Sequence, residues 1–279
     1  MIPSFSESDS GSSELAKYYI ENGFVLVEGL ITQQERTEIR GELVKINRGE
    51  LPNESVLPLE EPESDETSLT SYMYIGEPHV SSPAISSYIR HPGMTAVLGT
   101  IVGAHIPYWD GAYKCVQTMA VSKKPGGNGS PWHQDEHPIP TRDRSLTGIW
   151  IPLEDTTVEN GCLWIIPNSH RSGVIYDRFA HDLPDVDSMS VARGFDDATQ
   201  IPIEMKAGSV LFFNGYLLHS SKKNVSTSHR PALTMHYCTA SSLFAWKEQR
   251  NYRGVISVEG ADPYAEEGYT TPQTWAVRE

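Results

Sequence analysis

Cysteine is scarce: the 279 residues hold three, Cys115, Cys162 and Cys238, each in an apolar, strand-like run and none at metal-binding spacing. An odd, scattered set excludes a disulfide scaffold and points to a reduced, intracellular protein. Positive charge is also short, with 22 Lys+Arg against 36 Asp+Glu and a formal net charge of −14. Such a surface repels phosphate backbones and anionic lipid, so neither nucleic acid nor a membrane is an expected partner. No apolar run approaches the roughly 20 residues that span a bilayer. The start of the chain lacks the basic stretch and apolar core of a secretory leader, and Val277-Arg278-Glu279 is not a peroxisomal address. The expectation is a cytoplasmic protein that handles small molecules.

The length suits one large β domain or two small ones. Residues 1–12 are rich in Ser and Asp and read as disordered. A helix is expected over 13–22, stopped by Gly23, and a second from the capping box Thr32/Glu35, with Ile39, Leu43, Val44 and Ile46 toward a core. Phe24-Val25-Leu26-Val27 reads as a buried strand between them. From 49 to 66 the chain carries seven acids and three prolines, either a surface insertion or an active-site lid. From about Ile106 onward short strands dominate, with Tyr113, Cys115, Gln117, Met119 and Val121 expected on one face of the first. Others are expected over 148–153, 162–166, 209–213, 216–221 and 231–239, with Asn214-Gly215 as a two-residue hairpin turn. Residues 13–243 thus form one mainly β domain with flanking helices, and 244–279, rich in Trp and Tyr, an extension that packs on it or on a second subunit of a homo-oligomer.

Chemistry concentrates at Pro131-Trp132-His133-Gln134-Asp135. In an extended strand alternate side chains share a face, so His133 and Asp135 project together. One imidazole and one carboxylate supply two thirds of a 2-His-1-carboxylate iron site. His219, far downstream on a strand where Leu217, His219 and Ser221 share a face, is the best third ligand. Arg230 on the next strand suits bidentate capture of a carboxylate. If it heads an inward row with Ala232, Thr234 and His236, burying its charge costs several kcal/mol unless an anion, or an internal acid, meets it.

These four residues, with Trp150-Ile151-Pro152-Leu153-Glu154-Asp155, Glu159-Asn160-Gly161-Cys162-Leu163, Ile166-Pro167-Asn168-Ser169-His170 and Lys206-Ala207-Gly208-Ser209, make the chain resemble the phytanoyl-CoA dioxygenase family. That resemblance implies a double-stranded β-helix (a cupin-like jelly-roll barrel) using Fe(II), 2-oxoglutarate and O₂ and releasing succinate and CO₂. It places the metal on His133, Asp135 and His219, and the cosubstrate beside Gln117, Met119, Trp150, Ser221 and Arg230. Tyr74 falls where the family often has a lysine, and His170 is read as structural. Retention of Asp135, which related halogenases lose, argues for hydroxylation, desaturation or another oxidation. Substrate contacts are expected from Tyr108, Trp109, Tyr113, Trp132, Glu136 and His137, around a small polar metabolite such as an amine or a biosynthetic intermediate.

Two rivals stand beside this reading. A zinc hydrolase would use His133 and His137 on a helix, but Pro138 and Pro140 oppose a helix and Gln134 stands where that motif needs glutamate. A non-catalytic barrel that binds a metal or metabolite leaves Arg230 without a role. The remaining histidines, His79, His91, His105, His181 and His229, are expected at the surface or in loops.

Overall fold

The computed structural model describes residues 2–59, 64–242 and 254–264. Its fourteen strands are β1 (Ser4–Phe5), β2 (Phe24–Val27), β3 (Tyr74–Gly76), β4 (Tyr113–Lys123), β5 (Ser130–His133), β6 (Thr147–Pro152), β7 (Leu163–Ile165), β8 (Arg178–Phe179), β9 (Val191–Ala192), β10 (Ile201–Ile203), β11 (Val210–Asn214), β12 (His219–Ser221), β13 (Arg230–Thr239) and β14 (Ile256–Glu259). The helices are α1 (Ser13–Asn22), α2 (Gln33–Asn47), α3 (Asp65–Leu69), α4 (Pro78–Ser81), α5 (Pro83–Tyr88) and α6 (Pro92–Ile101). The large sheet runs β1-β2-β11-β6-β13-β4-β14 with β3 also on β4, and the small sheet runs β10-β7-β12-β5. Among the described residues no ladder joins the two, so this jelly roll is a pair of sheets rather than a closed barrel.

Alternation along the large sheet builds the core. Leu233, Met235 and Tyr237 of β13, Ile149 and Ile151 of β6, Val210 and Phe212 of β11 and Val25 and Val27 of β2 face outward. There they bury Leu15, Ile39, Leu43, Val97 and Leu98 of the helices. The helices therefore lie outside the sheets, as expected. The opposite faces of these strands carry Leu211, Phe213, Trp150 and Ala232 against Ile165 of the small sheet.

Local signals held at the start. Ser12 caps α1, and Gly23 ends it at φ 82°, where a side chain is strained. Thr32 and Glu35 form the capping box of α2. Residues 4–9, expected to be disordered, instead place β1 parallel to β2, followed by a 3₁₀ turn over Glu7–Asp9. That short edge covers the outer side of β2, which the local composition does not reveal. Helices α3–α6 were not expected as elements; α3, α5 and α6 add Leu69, Ile85, Tyr88, Met94 and Ile101 to the outer core.

Two β expectations are corrected. Asn214-Gly215 is no hairpin: β11 pairs with β2 and β6, whereas β12 pairs with β5 and β7. The turn carries the chain from one sheet to the other, with Asn214 Oδ1 accepting from the Tyr216 amide at 2.9 Å. The strand β4 does not keep one face throughout. A register shift opposite His236/Tyr237 pairs Gln117 with His236 but Cys115 with Tyr237, leaving Val116 as the extra residue. This bulge inverts the alternation, so Tyr113 and Cys115 join the outer core while Gln117, Met119 and Val121 face inward. At the chain's end, β14 pairs with β4, and the buried Asp262 meets the buried Lys114 at 3.1 Å. Within the extension, Phe244, Trp246, Tyr252, Tyr269 and Trp275 lie outside the described residues, as does part of the acidic 49–66 loop.

Candidate metal and cosubstrate site

The strands β5 and β12 lie side by side with His133 and His219 as direct cross-strand partners. That register alone sets two imidazoles next to each other, with ring centroids 4.1 Å apart. Pairing at this point requires close backbone approach: a Cβ on Gly129 would lie 2.1 Å from the Ser221 carbonyl oxygen. The strand β5 ends at His133, and Asp135 reaches the same side from the turn that follows. Asp135 Oδ1 lies 3.6 Å from both His133 Nε2 and His219 Nε2. One ligand atom from each of the three sits within 4.8 Å of the others, the one such cluster among the described residues.

The surroundings prepare all three as ligands. His133 Nδ1 donates to the Pro131 carbonyl at 2.8 Å and His219 Nδ1 to the Leu217 carbonyl at 3.0 Å. With the proton held on Nδ1, each Nε2 presents a lone pair inward. Burial, then the neighbouring His219, pushes His133 down to about 3, which keeps it neutral at pH 7. Burial alone would raise Asp135, but His219, His236 and His133 outweigh it and hold the carboxyl well below its usual range. His236 Nε2 donates to Asp135 Oδ2 at 2.9 Å, fixing that carboxylate while Oδ1 faces the histidines. The helical zinc pair is excluded locally, because His133 lies in β5, residues 135–138 form a turn and His137 is exposed.

Beside this cluster lies a cavity of about 190 Å³ between the sheets. Gln117, Met119, Trp150, Ser221 and Arg230 all line it, so the structure brings every expected cosubstrate residue together. Arg230 is 1% exposed, and its Nε, Nη1 and Nη2 have no hydrogen-bond partner. Its guanidinium stands 5.3 Å from the Trp150 ring centroid, and burial pulls its pKa down to about 10. An unpaired buried guanidinium is costly, and these three nitrogens suit a carboxylate. The donor set therefore fits iron at the triad and a dicarboxylate ending at Arg230.

Ser221 is polarised from behind. Its Oγ accepts from Lys123 Nζ at 2.7 Å and from the Ser130 amide at 3.1 Å. With both lone pairs taken, its own proton is left to donate into the cavity. Lys123 is 1% exposed, also donates to the Lys222 carbonyl at 2.6 Å, and is pushed down to about 6 by burial and by Arg230. Tyr74 lines the cavity as well, donating to Asp187 Oδ2 at 2.5 Å and lying 2.9 Å from Ser130 Oγ. Sequence reasoning missed the roles of Lys123 and His236, although both were readable from phase. Lys123 continues the inward set Gln117, Met119, Val121, and His236 continues the row from Arg230.

The expected substrate contacts are not brought together. Tyr108 is fully exposed at φ 72°, and Trp109 packs against the outer core. Tyr113 lies on the outer face because of the β4 bulge, where its ring meets Tyr237. Trp132 packs on Phe195 at 5.9 Å, away from the cavity. Glu136 turns behind the site to accept from the Thr141 amide at 2.6 Å, and burial raises it to about 7. Pro138 and Ile139, not His137, form the wall after the turn, and Arg178 and Met189 join the lining from the segment around β8 and β9. His79, expected at the surface, is buried, with Nδ1 2.7 Å from Thr118 Oγ1 and Nε2 2.9 Å from the Gly254 carbonyl. His170 is structural, as expected, with Nε2 bonded to the Ile20 carbonyl at 3.0 Å.

A two-sheet jelly roll enclosing a His-Asp-His cluster and a buried arginine is the frame of a metal-dependent oxygenase. The chain matches the phytanoyl-CoA dioxygenase (PhyH) family over residues 19–232 and belongs to it. A phytanoyl-CoA dioxygenase of Arabidopsis thaliana is 38% identical over 43% of this chain and 43% of its own length. The peroxisomal phytanoyl-CoA dioxygenase of Bos taurus is 25% identical over 98% of this chain and 82% of its own length. The chain spans about half the length of the first relatives it matches, from 43% to 55% of their own length. Among solved structures, the α-ketoglutarate-dependent carbocyclase SnoK from nogalamycin biosynthesis superposes with a TM-score of 0.63 at 20% identity, covering 87% of this chain and 89% of that one. The epimerase SnoN, solved with Fe³⁺ and α-ketoglutarate, gives 0.63 at 18% identity over 83% and 84%. The cofactor set that goes with this family is iron, 2-oxoglutarate and dioxygen.

Proposed function

We propose that this protein is an Fe(II)- and 2-oxoglutarate-dependent dioxygenase that hydroxylates a small molecule with release of succinate and CO₂. The observation that carries the reading is the unpaired Arg230 guanidinium in the same cavity as the His133–Asp135–His219 cluster. In this reading the three residues hold the iron, and Arg230 with Ser221 takes the distal carboxylate of 2-oxoglutarate. The iron, when bound, couples oxidative decarboxylation of that cosubstrate to oxidation of a substrate C–H bond. The chain's own work is placement. Backbone carbonyls fix both histidine tautomers, His236 holds Asp135, Lys123 aims the Ser221 proton, and Trp150 and Phe213 keep water from the cosubstrate. Incubation with Fe(II), 2-oxoglutarate and a metabolite extract should yield succinate with a substrate gaining one oxygen by mass spectrometry. A product lacking two hydrogens supports desaturation instead, and succinate-free turnover contradicts the reading.

Two supporting residues give separable effects. His236→Phe removes the donor to Asp135 and should weaken Fe(II) or Mn(II) binding by about 10–100-fold, measured by equilibrium titration, with 2-oxoglutarate affinity for the loaded protein changed less. Lys123→Met leaves Ser221 free to turn and should weaken 2-oxoglutarate by about tenfold, one charged hydrogen bond's worth. It also alters pH dependence. The unfolded lysine binds a proton up to its model value of 10.5, whereas the folded one releases it near about 6. The unfolded state therefore holds more protons between those values, and stability without cosubstrate rises with pH there. In Lys123→Met that rise should flatten, as read by urea melts at pH 6.5 and 9.5.

A further inference from the structure

The lining of the cavity carries a second permanent cation that the proposed iron and 2-oxoglutarate sites do not use. Of the residues lining the cavity, Arg178 and Arg230 are the two arginines. Arg230 sits in β13 beside Trp150, while Arg178 reaches in from β8 together with Met189 from the loop leading to β9. Its orientation is set: Nε and Nη2 both donate to the Ser190 carbonyl, at 3.0 and 2.7 Å, across the β8–β9 ribbon. Neither bond neutralises it. Among the described residues Arg178 forms no ion pair, in a chain whose 36 acids outnumber its 22 Lys+Arg. A ribbon clamp needs only a neutral donor, so the charge is more than the clamp requires.

Val121, Ile139, Leu163 and Met189 give the same cavity its aliphatic walls, and its one carboxylate, Asp135, is surrounded by His133, His219 and His236. Apolar walls screen a charge weakly, so an anion in this space is strongly attracted and an ammonium repelled. This reverses the sequence-based leaning toward an amine. It also separates two kinds of acid derivative. In a coenzyme A thioester the phosphates stand many bonds from the acyl carbonyl, so a small cavity would set a neutral carbonyl against Arg178. A free acid would set its carboxylate there.

We propose that Arg178 anchors the substrate and that the substrate is a free carboxylic acid, oxidised within a few carbons of its carboxylate, on an otherwise aliphatic body. The inference rests on the oxygenase reading and names the substrate class of that same site. The test uses full-length protein loaded with Mn(II) and 2-oxoglutarate, which binds without turning over, and a straight-chain series from butanoate to decanoate. Each acid is compared by calorimetry with its amide, its alkylamine and its coenzyme A thioester. At least one acid should bind tenfold or more tighter than all three counterparts and should stimulate succinate release from the iron-loaded enzyme. Arg178→Gln, which keeps a donor for Ser190, should remove that preference and leave the 2-oxoglutarate dissociation constant within twofold. Arg178→Lys, which keeps the charge, should retain part of it.

Equal binding of acid and amide, tightest binding of the thioester, or no binding by any acid overturns the proposal. So does an Arg178→Gln variant that keeps the preference, or one that loses acid and 2-oxoglutarate together, as a plain clamp would. Failure of the wild-type protein to bind 2-oxoglutarate refutes the oxygenase reading instead, before any acid is added.

Discussion

Arg230→Met should melt at a higher temperature than the wild type when both lack 2-oxoglutarate, and should lose the response to 2-oxoglutarate. The sign follows from burial. The wild-type guanidinium is 1% exposed with three unpaired nitrogens, so the folded state without cosubstrate carries an uncompensated charge. Replacing buried ionic groups by apolar ones of similar volume commonly stabilises by about 1–4 kcal/mol. For a domain of this size that is on the order of 3–10 °C. Cosubstrate reverses the order, because ligand at about 1,000 times its dissociation constant adds ~4.1 kcal/mol to the wild type. Losing one partner of a buried charge pair costs ~2–5 kcal/mol of affinity, or at least about a thirtyfold weaker 2-oxoglutarate. Thermal melts with and without 2-oxoglutarate in the presence of Mn(II) read both effects. A variant that melts several degrees lower without ligand would mean that Arg230 is already satisfied inside the protein.

Asp135→Ala should abolish succinate formation, by at least about a thousandfold, equivalent to ~4 kcal/mol of barrier. The carboxylate is the single anionic ligand of the cluster, and two neutral imidazoles alone hold a divalent cation poorly. His236 also loses its acceptor, so the effect exceeds that of His236→Phe. Asp135→Asn keeps the shape and the bond to His236 but not the charge, and should fall nearly as far. Succinate assays at saturating iron distinguish weakened metal binding from a lost catalytic arrangement. Unchanged turnover in Asp135→Ala contradicts the assignment.

Much of the site was legible because it is built on strand phase. His133, His219 and Ser221 follow from alternation, and the row from Arg230 through Thr234 to His236 runs inward as a period of two requires. Asp135 lands on the expected side although the strand ends two residues earlier. Phase failed where one residue was inserted. The bulge at Val116 flips Tyr113 outward, and nothing in the local composition marks it. Asn214-Gly215 has hairpin composition, yet its partners are chosen by sheet packing over long range. This part of the cavity lining was least legible, because Arg178 and Met189 come from a segment of short strands and loops with no periodicity. Their place depends on a ribbon closed by Ser190 and Asp187, not on any nearby pattern.

In the proposed function iron and 2-oxoglutarate meet at the His133–Asp135–His219 cluster with the distal carboxylate on Arg230. Anaerobic titration of the protein with Fe(II) and then 2-oxoglutarate tests it directly. A visible metal-to-ligand charge-transfer band should saturate at one 2-oxoglutarate per chain, be absent in Asp135→Ala, and need far more 2-oxoglutarate in Arg230→Met. Iron binding with no band at any 2-oxoglutarate concentration, or a band that titrates identically in Arg230→Met, would contradict it.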